Sequence, residues 1–139
     1  MFTLRDVKSY NSVMRKSFLL YIALGLIVVL GTLHFMAEVF HLYWVYWWLD
    51  IVVHFLAGFS GSLVLAWFFG PLGMFRAIFY ILIFMFAVGI AWEIFEYVND
   101  LVQPIDYWQD TISDLIADML GSGLVCFYVY ASGQTPKSS

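Results

Sequence analysis

Charge is scarce in this sequence, and positive charge above all. Lys and Arg number six against ten Asp and Glu, and charged residues make up 12% of the 139. About 25% is usual in a soluble domain. With 63% hydrophobic residues and a mean hydropathy of +0.88, the composition excludes such a domain. It indicates an integral membrane protein one domain long, with the lipid bilayer as its first partner. Cysteine is scarcer still. Cys126 stands alone in an apolar run, which excludes an intrachain disulfide and leaves it as a small helix-packing residue. A net charge of −4 means little until its location along the chain is known, and no nucleic-acid partner is expected.

Four apolar segments are long enough to cross roughly 30 Å of hydrocarbon, for which about 20 helical residues suffice. They run approximately over 17–39, 49–69, 72–97 and 110–130, with Gly70-Pro71 breaking the chain between the second and third and Pro104 in the next connection. The expected fold is therefore an all-α membrane protein, a bundle of four transmembrane helices over residues 17–131. The first segment has a basic flank like that of a signal peptide, but it is too long and no small-residue cleavage site follows, so it reads as retained. Residues 1–16 mix Arg5, Lys8, Arg15 and Lys16 with Phe2, Leu4, Val7, Tyr10 and Met14. That suits a short basic helix lying on the membrane surface, an unstructured leader being the alternative. Residues 132–139 are a polar tail, expected to fray.

Four spans alternate the loops. All six basic residues, Arg5, Lys8, Arg15, Lys16, Arg76 and Lys137, then fall on one side with both termini. The positive-inside rule makes that side cytoplasmic and predicts a multi-pass protein of the cell (inner or plasma) membrane. The opposite side carries His34, His41, His54 and every acid except Asp6. It also carries Tyr43 to Trp48, Tyr107 and Trp108, an aromatic belt at headgroup depth. Trp48, Trp92 and Trp108 could alternatively grip an amphiphilic substrate.

Helical spacing gathers the acids. Asp50 and His54, four apart, share a face about 6 Å apart along the axis. Glu93 and Glu96 share another. Asp110, Asp114 and Asp118 form a stripe descending roughly 12 Å into the fourth span. His34 and Glu38 are four apart on the first, with His41 three further on if the helix persists. Asp110 and Asp50 suit helix N-termini, where the dipole favours anions, and Asp100 and Asp106 read as solvated loop acids. Glu93 and Glu96 lie near a C-terminus that disfavours anions, and Asp114 and Asp118 lie at membrane depth, where each ionised group costs at least ~2.5 kcal/mol near the helix centre.

So many carboxylates cannot all ionise together without compensation, and no Lys or Arg shares their side. A bound divalent cation, shared protons or a cationic substrate would each supply it. Carboxylates with imidazole suit Zn, Mn or Fe, and carboxylates with water suit Mg or Ca. The metal set is Asp50, His54, Glu93, Glu96, Asp110, Asp114 and Asp118, with His34 and Glu38 as further candidates. In an enzyme reading, His54, Asp50 and Glu93 would be catalytic, acting through metal or as base and orienter on a lipid-linked or amphiphilic molecule. Competing readings are cation binding alone, proton or cation translocation by a homo-oligomer, and a structural subunit. Small residues (Ala57, Gly58, Gly61 and Ser62 on the second span; Gly121, Ser122 and Gly123 on the fourth) allow close helix approach.

"DIVVHFLAG", "WEIFE" and "DTISDLIADMLGS" together resemble the YjdF-type inner-membrane protein family and, more distantly, the VanZ-like proteins. The resemblance covers residues 50–122, on Asp50, His54, Gly58, Glu93, Glu96, Asp110, Asp114 and Gly121. It implies this fold and a site at the helix ends, and little biochemistry. Such families commonly have Lys where Ile51 stands, and VanZ-like proteins Gln at Glu96 and Asn or a small residue near Asp118. This chain is more acidic, which raises its need for a cation.

Overall fold

A segment that cannot hydrogen-bond to water in hydrocarbon must satisfy its backbone internally, and uninterrupted apolar runs do so as helices. The computed structural model describes residues 4–99, 101 and 107–131, with side chains from Ser17 onward. The expectations placed on Asp100, Asp106, the leader's side chains and the tail lie outside the described residues. Helices are α1 (Leu4–Val39), the single-turn α2 (Leu42–Val45), α3 (Trp48–Phe69), α4 (Met74–Val98) and α5 (Tyr107–Ala131). Four of them are long and apolar enough to span: Ser17–Val39, Trp48–Leu72, Met74–Val98 and Tyr107–Ala131. No strand occurs among the described residues. The fold is an all-α, four-helix transmembrane bundle.

The helix ends follow from local chemistry. Pro71 has no N–H to continue the ladder of α3, and Gly70–Leu72 tighten into a 3-10 turn. Gly73 then takes φ +93, a conformation that a side chain resists, so α4 starts at Met74 and not at residue 72. At the other end of the bundle His41 adopts φ 52. The helix therefore does not persist beyond Val39, and His41 leaves the His34–Glu38 face. The backbone of α1 runs unbroken from Leu4.

α3 is the hub, packing on α1, α4 and above all α5. Among the described residues the backbone of α1 comes close to α3 and α2 but not to α4 or α5. Small apolar clusters hold the middle: Ala23, Leu63 and Val125 in one, Ile81, Met85 and Cys126 in the other. Cys126 is thus the packing residue expected. Large apolar side chains such as Phe18, Val28, Phe75, Ile94 and Leu120 cover the outside, an arrangement suited to lipid and not to water. Trp44, Trp47 and Trp108 project at the acid-rich end.

The α3–α5 seam needs glycine. A Cβ at Gly58 would fall on the backbone of Asp118, and one at Gly121 on the backbone of Phe55 and Phe59. Ser122 Oγ, fully buried, donates to the carbonyls of Asp118 at 2.8 Å and Gly58 at 3.3 Å. Such close backbone approach is how small residues fasten helices in lipid. Gly123 is not part of it, having nothing within 4 Å of its Cβ position.

Candidate metal centre

The seam brings the lower part of the acid stripe against His54. One turn above Gly58, the imidazole of His54 is 5% exposed and surrounded by carboxylates from two helices. Its Nδ1 lies 3.3 Å from Asp118 Oδ2. An ionised carboxylate only accepts, so with Asp118 ionised the imidazole would donate from Nδ1, and a neutral ring would then offer the Nε2 lone pair. Nε2 lies 3.8 Å from Asp50 Oδ1 and 4.0 Å from Asp114 Oδ2. Two ligands about 2.0–2.2 Å from one ion are at most roughly 4.3 Å apart, so both spacings fit a shared cation. A carboxylate behind a histidine that ligates with its other nitrogen is the usual support of a metal-bound imidazole.

Asp114 is the most constrained member. It is 1% exposed, and among the described residues neither of its carboxylate oxygens has a hydrogen-bond partner. A buried carboxylate left so is expensive. Glu93, 4% exposed, is half satisfied: Thr111 Oγ1 donates to Oε2 at 2.6 Å, while Oε1 is buried and unpartnered. Two ligand sets have all donor atoms within 4.8 Å of one another, Asp50–His54–Asp114 and His54–Glu93–Glu96. They share His54, so together they describe a two-lobed site around one imidazole.

The other candidates fall elsewhere. Asp118 is on the far nitrogen of His54 and in neither set. Asp110 lines a polar pocket of about 330 Å³ at the acid-rich end, together with Glu38, His41, Tyr43, Asp50 and Glu96. His34 hydrogen-bonds Tyr43 Oη at 2.8 Å through Nδ1 and meets Trp92 edge to face. Burial, then the charges of Asp50, Glu38, Glu96 and Asp114, raise the Tyr43 phenol above its ordinary value, which keeps it a neutral hydroxyl beside His34. Thr111, Trp92 and Tyr43 are participants that spacing alone had not singled out as hydrogen-bonding groups. Two of them had a readable signal: Thr111 precedes Asp114 by three and Trp92 precedes Glu96 by four, and Trp92 Nε1 donates to Glu96 Oε1 at 2.8 Å.

On its other flank the cluster borders a mainly apolar cavity of about 480 Å³ between α1, α3 and α4, which His54 and Asp118 also line. The centre therefore lies between a polar pocket and an apolar one.

No match is found among curated proteins or among solved structures. One family model does match, and it supports the YjdF-type likeness but not the VanZ-like one. The match runs over residues 10–135, taking in every member of the cluster, and by it the chain belongs to the family described as "Predicted membrane protein (DUF2238)".

Proposed function

We propose that this protein binds a divalent cation between His54 Nε2, Asp50 and Asp114, with Glu93 and Glu96 as the neighbouring lobe. The observation that carries the reading is Asp114: a carboxylate 1% exposed, with both oxygens unpartnered, 4.0 Å from Nε2. An ion would satisfy those oxygens and offset the repulsion among carboxylates that no Lys or Arg relieves. Imidazole with carboxylates suits Zn, Mn or Fe. By the positive-inside rule the site faces the non-cytoplasmic side of the cell membrane, with both termini cytoplasmic.

The test is elemental analysis of protein purified without chelator, followed by titration of the chelated protein with Zn, Mn, Fe, Mg and Ca. One of these should bind stoichiometrically and raise the unfolding temperature, by about 2.7 kcal/mol of stability at one hundred times its dissociation constant. Asp114→Asn should abolish both effects. Protein that is metal-free as purified and takes up none of the five ions would sink the reading and leave proton sharing around His54 in its place.

The two flanking pockets favour one second reading, a metal-dependent enzyme. Water reaching the cluster from the polar pocket would meet an amphiphile held in the apolar one. Asp50 and Asp114 would hold the ion, with His54 and Glu93 as ligand or general base.

A further inference from the structure

The apolar cavity is not a sealed void. The backbones of α1 and α4 stay apart along their length among the described residues, so the space between them is a groove in the side of the bundle. Its walls include Ile27 and Leu30 of α1, Val64 and Leu65 of α3, and Phe84 and Val88 of α4. From His54 to Leu65, eleven residues of α3, it runs about 16 Å, the depth of one leaflet's hydrocarbon, half of roughly 30 Å. At the acid-rich end the His34–Trp92 ring pair, 5.3 Å between centroids, bridges the gap and closes it. The groove thus has the length for one hydrocarbon chain and a polar end made of His54 and Asp118.

We propose that this groove holds a single-chain amphiphile with a primary ammonium head, its chain between α1 and α4 and its ammonium on Asp118. A chain in a bilayer is already out of water, so apolar walls add little affinity over surrounding lipid, and selectivity must come from the polar end. There Asp118 is the one acid among the lining residues, and no Lys or Arg stands with it. Asp118 Oδ2 faces Gly89, where a Cβ would lie 3.0 Å from it, and the absent side chain leaves the carboxylate open to the groove. An ammonium brings three donors and a charge of the needed sign, whereas a phosphate or carboxylate head would meet only like charge. This binding needs no metal, because Asp118 lies on the side of His54 away from Nε2.

Photo-crosslinking in phosphatidylcholine nanodiscs tests it, with three probes sharing one diazirine-bearing sixteen-carbon chain and ending in amine, alcohol or carboxylate. The amine probe should label groove residues such as Leu30, Val64 and Val88 about tenfold more than the other two, the worth of a hydrogen bond to a charged group. Asp118→Asn should bring it down to the level of the alcohol. Gly31→Phe should fill the groove and suppress labelling by all three, since Gly31 lines it and has nothing within 4 Å of its Cβ position. Gly25→Phe, equally open but outside the groove, should not. Equal labelling by the three probes, indifference to Gly31→Phe, or adducts spread to Phe75 and Leu120 on the outer face would overturn the proposal. Repeating the series in chelator separates the readings: labelling should persist without metal, and labelling lost while stoichiometric metal binding is retained would count against this inference alone.

Discussion

The α3–α5 seam and the α1–α4 gap are built from similar apolar helices and both contain glycine, yet one is closed to backbone contact and the other stands open. At the seam Gly58 and Gly121 each face the opposing helix's backbone, and Ser122 ties the two helices through its hydrogen bond to the Gly58 carbonyl. At the gap Gly31 faces nothing within 4 Å. The difference is what lies opposite, not the residue. It also divides the labour. His54 and Asp118 are set by the helix pair that cannot move apart without breaking buried polar contacts, while the open side is where a ligand can reach them. Rigid support on one flank and access on the other is what a binding site in lipid requires.

The largest effect is expected from overfilling the seam. Gly58→Leu or Gly121→Leu sets a side chain on backbone that cannot yield, and should cost about 3 kcal/mol or more in detergent unfolding. Gly123→Leu, with open space around it, should stay within about 0.5 kcal/mol. Similar losses at 58 and 123 would mean that the seam is not what holds the bundle together.

A sharper probe removes the support and spares the ligands. Asp118→Asn keeps the shape but weakens the hold on Nδ1, so calorimetric metal affinity should fall about 10–100-fold while Asp50, His54 and Asp114 remain. An unchanged affinity would show that the imidazole is positioned by packing alone.

The smallest effect is expected at the α4–α5 contact. Thr111→Val deletes the donor to Glu93 Oε2 and should cost about 1 kcal/mol of stability. Adding Glu93→Gln should recover part of it, since an amide is cheaper to bury than a carboxylate. A double variant no more stable than Thr111→Val would show that an amide gains nothing over the carboxyl group at that position.

Much of this protein was determined by local sequence. Apolar run length decides a span, because hydrocarbon tolerates no unpaired backbone, and Gly70-Pro71 and Gly73 end and restart helices through their own backbone limits. Helical period alone puts Asp50 with His54 and Asp114 with Asp118 on common faces, and glycine with serine on α3 and α5 pointed to close packing. Other features are properties of pairs of helices, which period cannot order. That Asp118 meets Nδ1 while Asp50 and Asp114 face Nε2 depends on the depth and rotation at which α5 meets α3, set where Gly58 and Gly121 touch the opposing backbone. That Glu93 takes its hydrogen bond from Thr111 depends on α4 meeting α5. That α1 stands away from α4 and leaves a groove depends on what each helix finds opposite it. A residue's face is fixed by its own helix, but its partner is chosen only when two helices settle against each other, and for that reason the cluster could be anticipated while its wiring and its open flank could not.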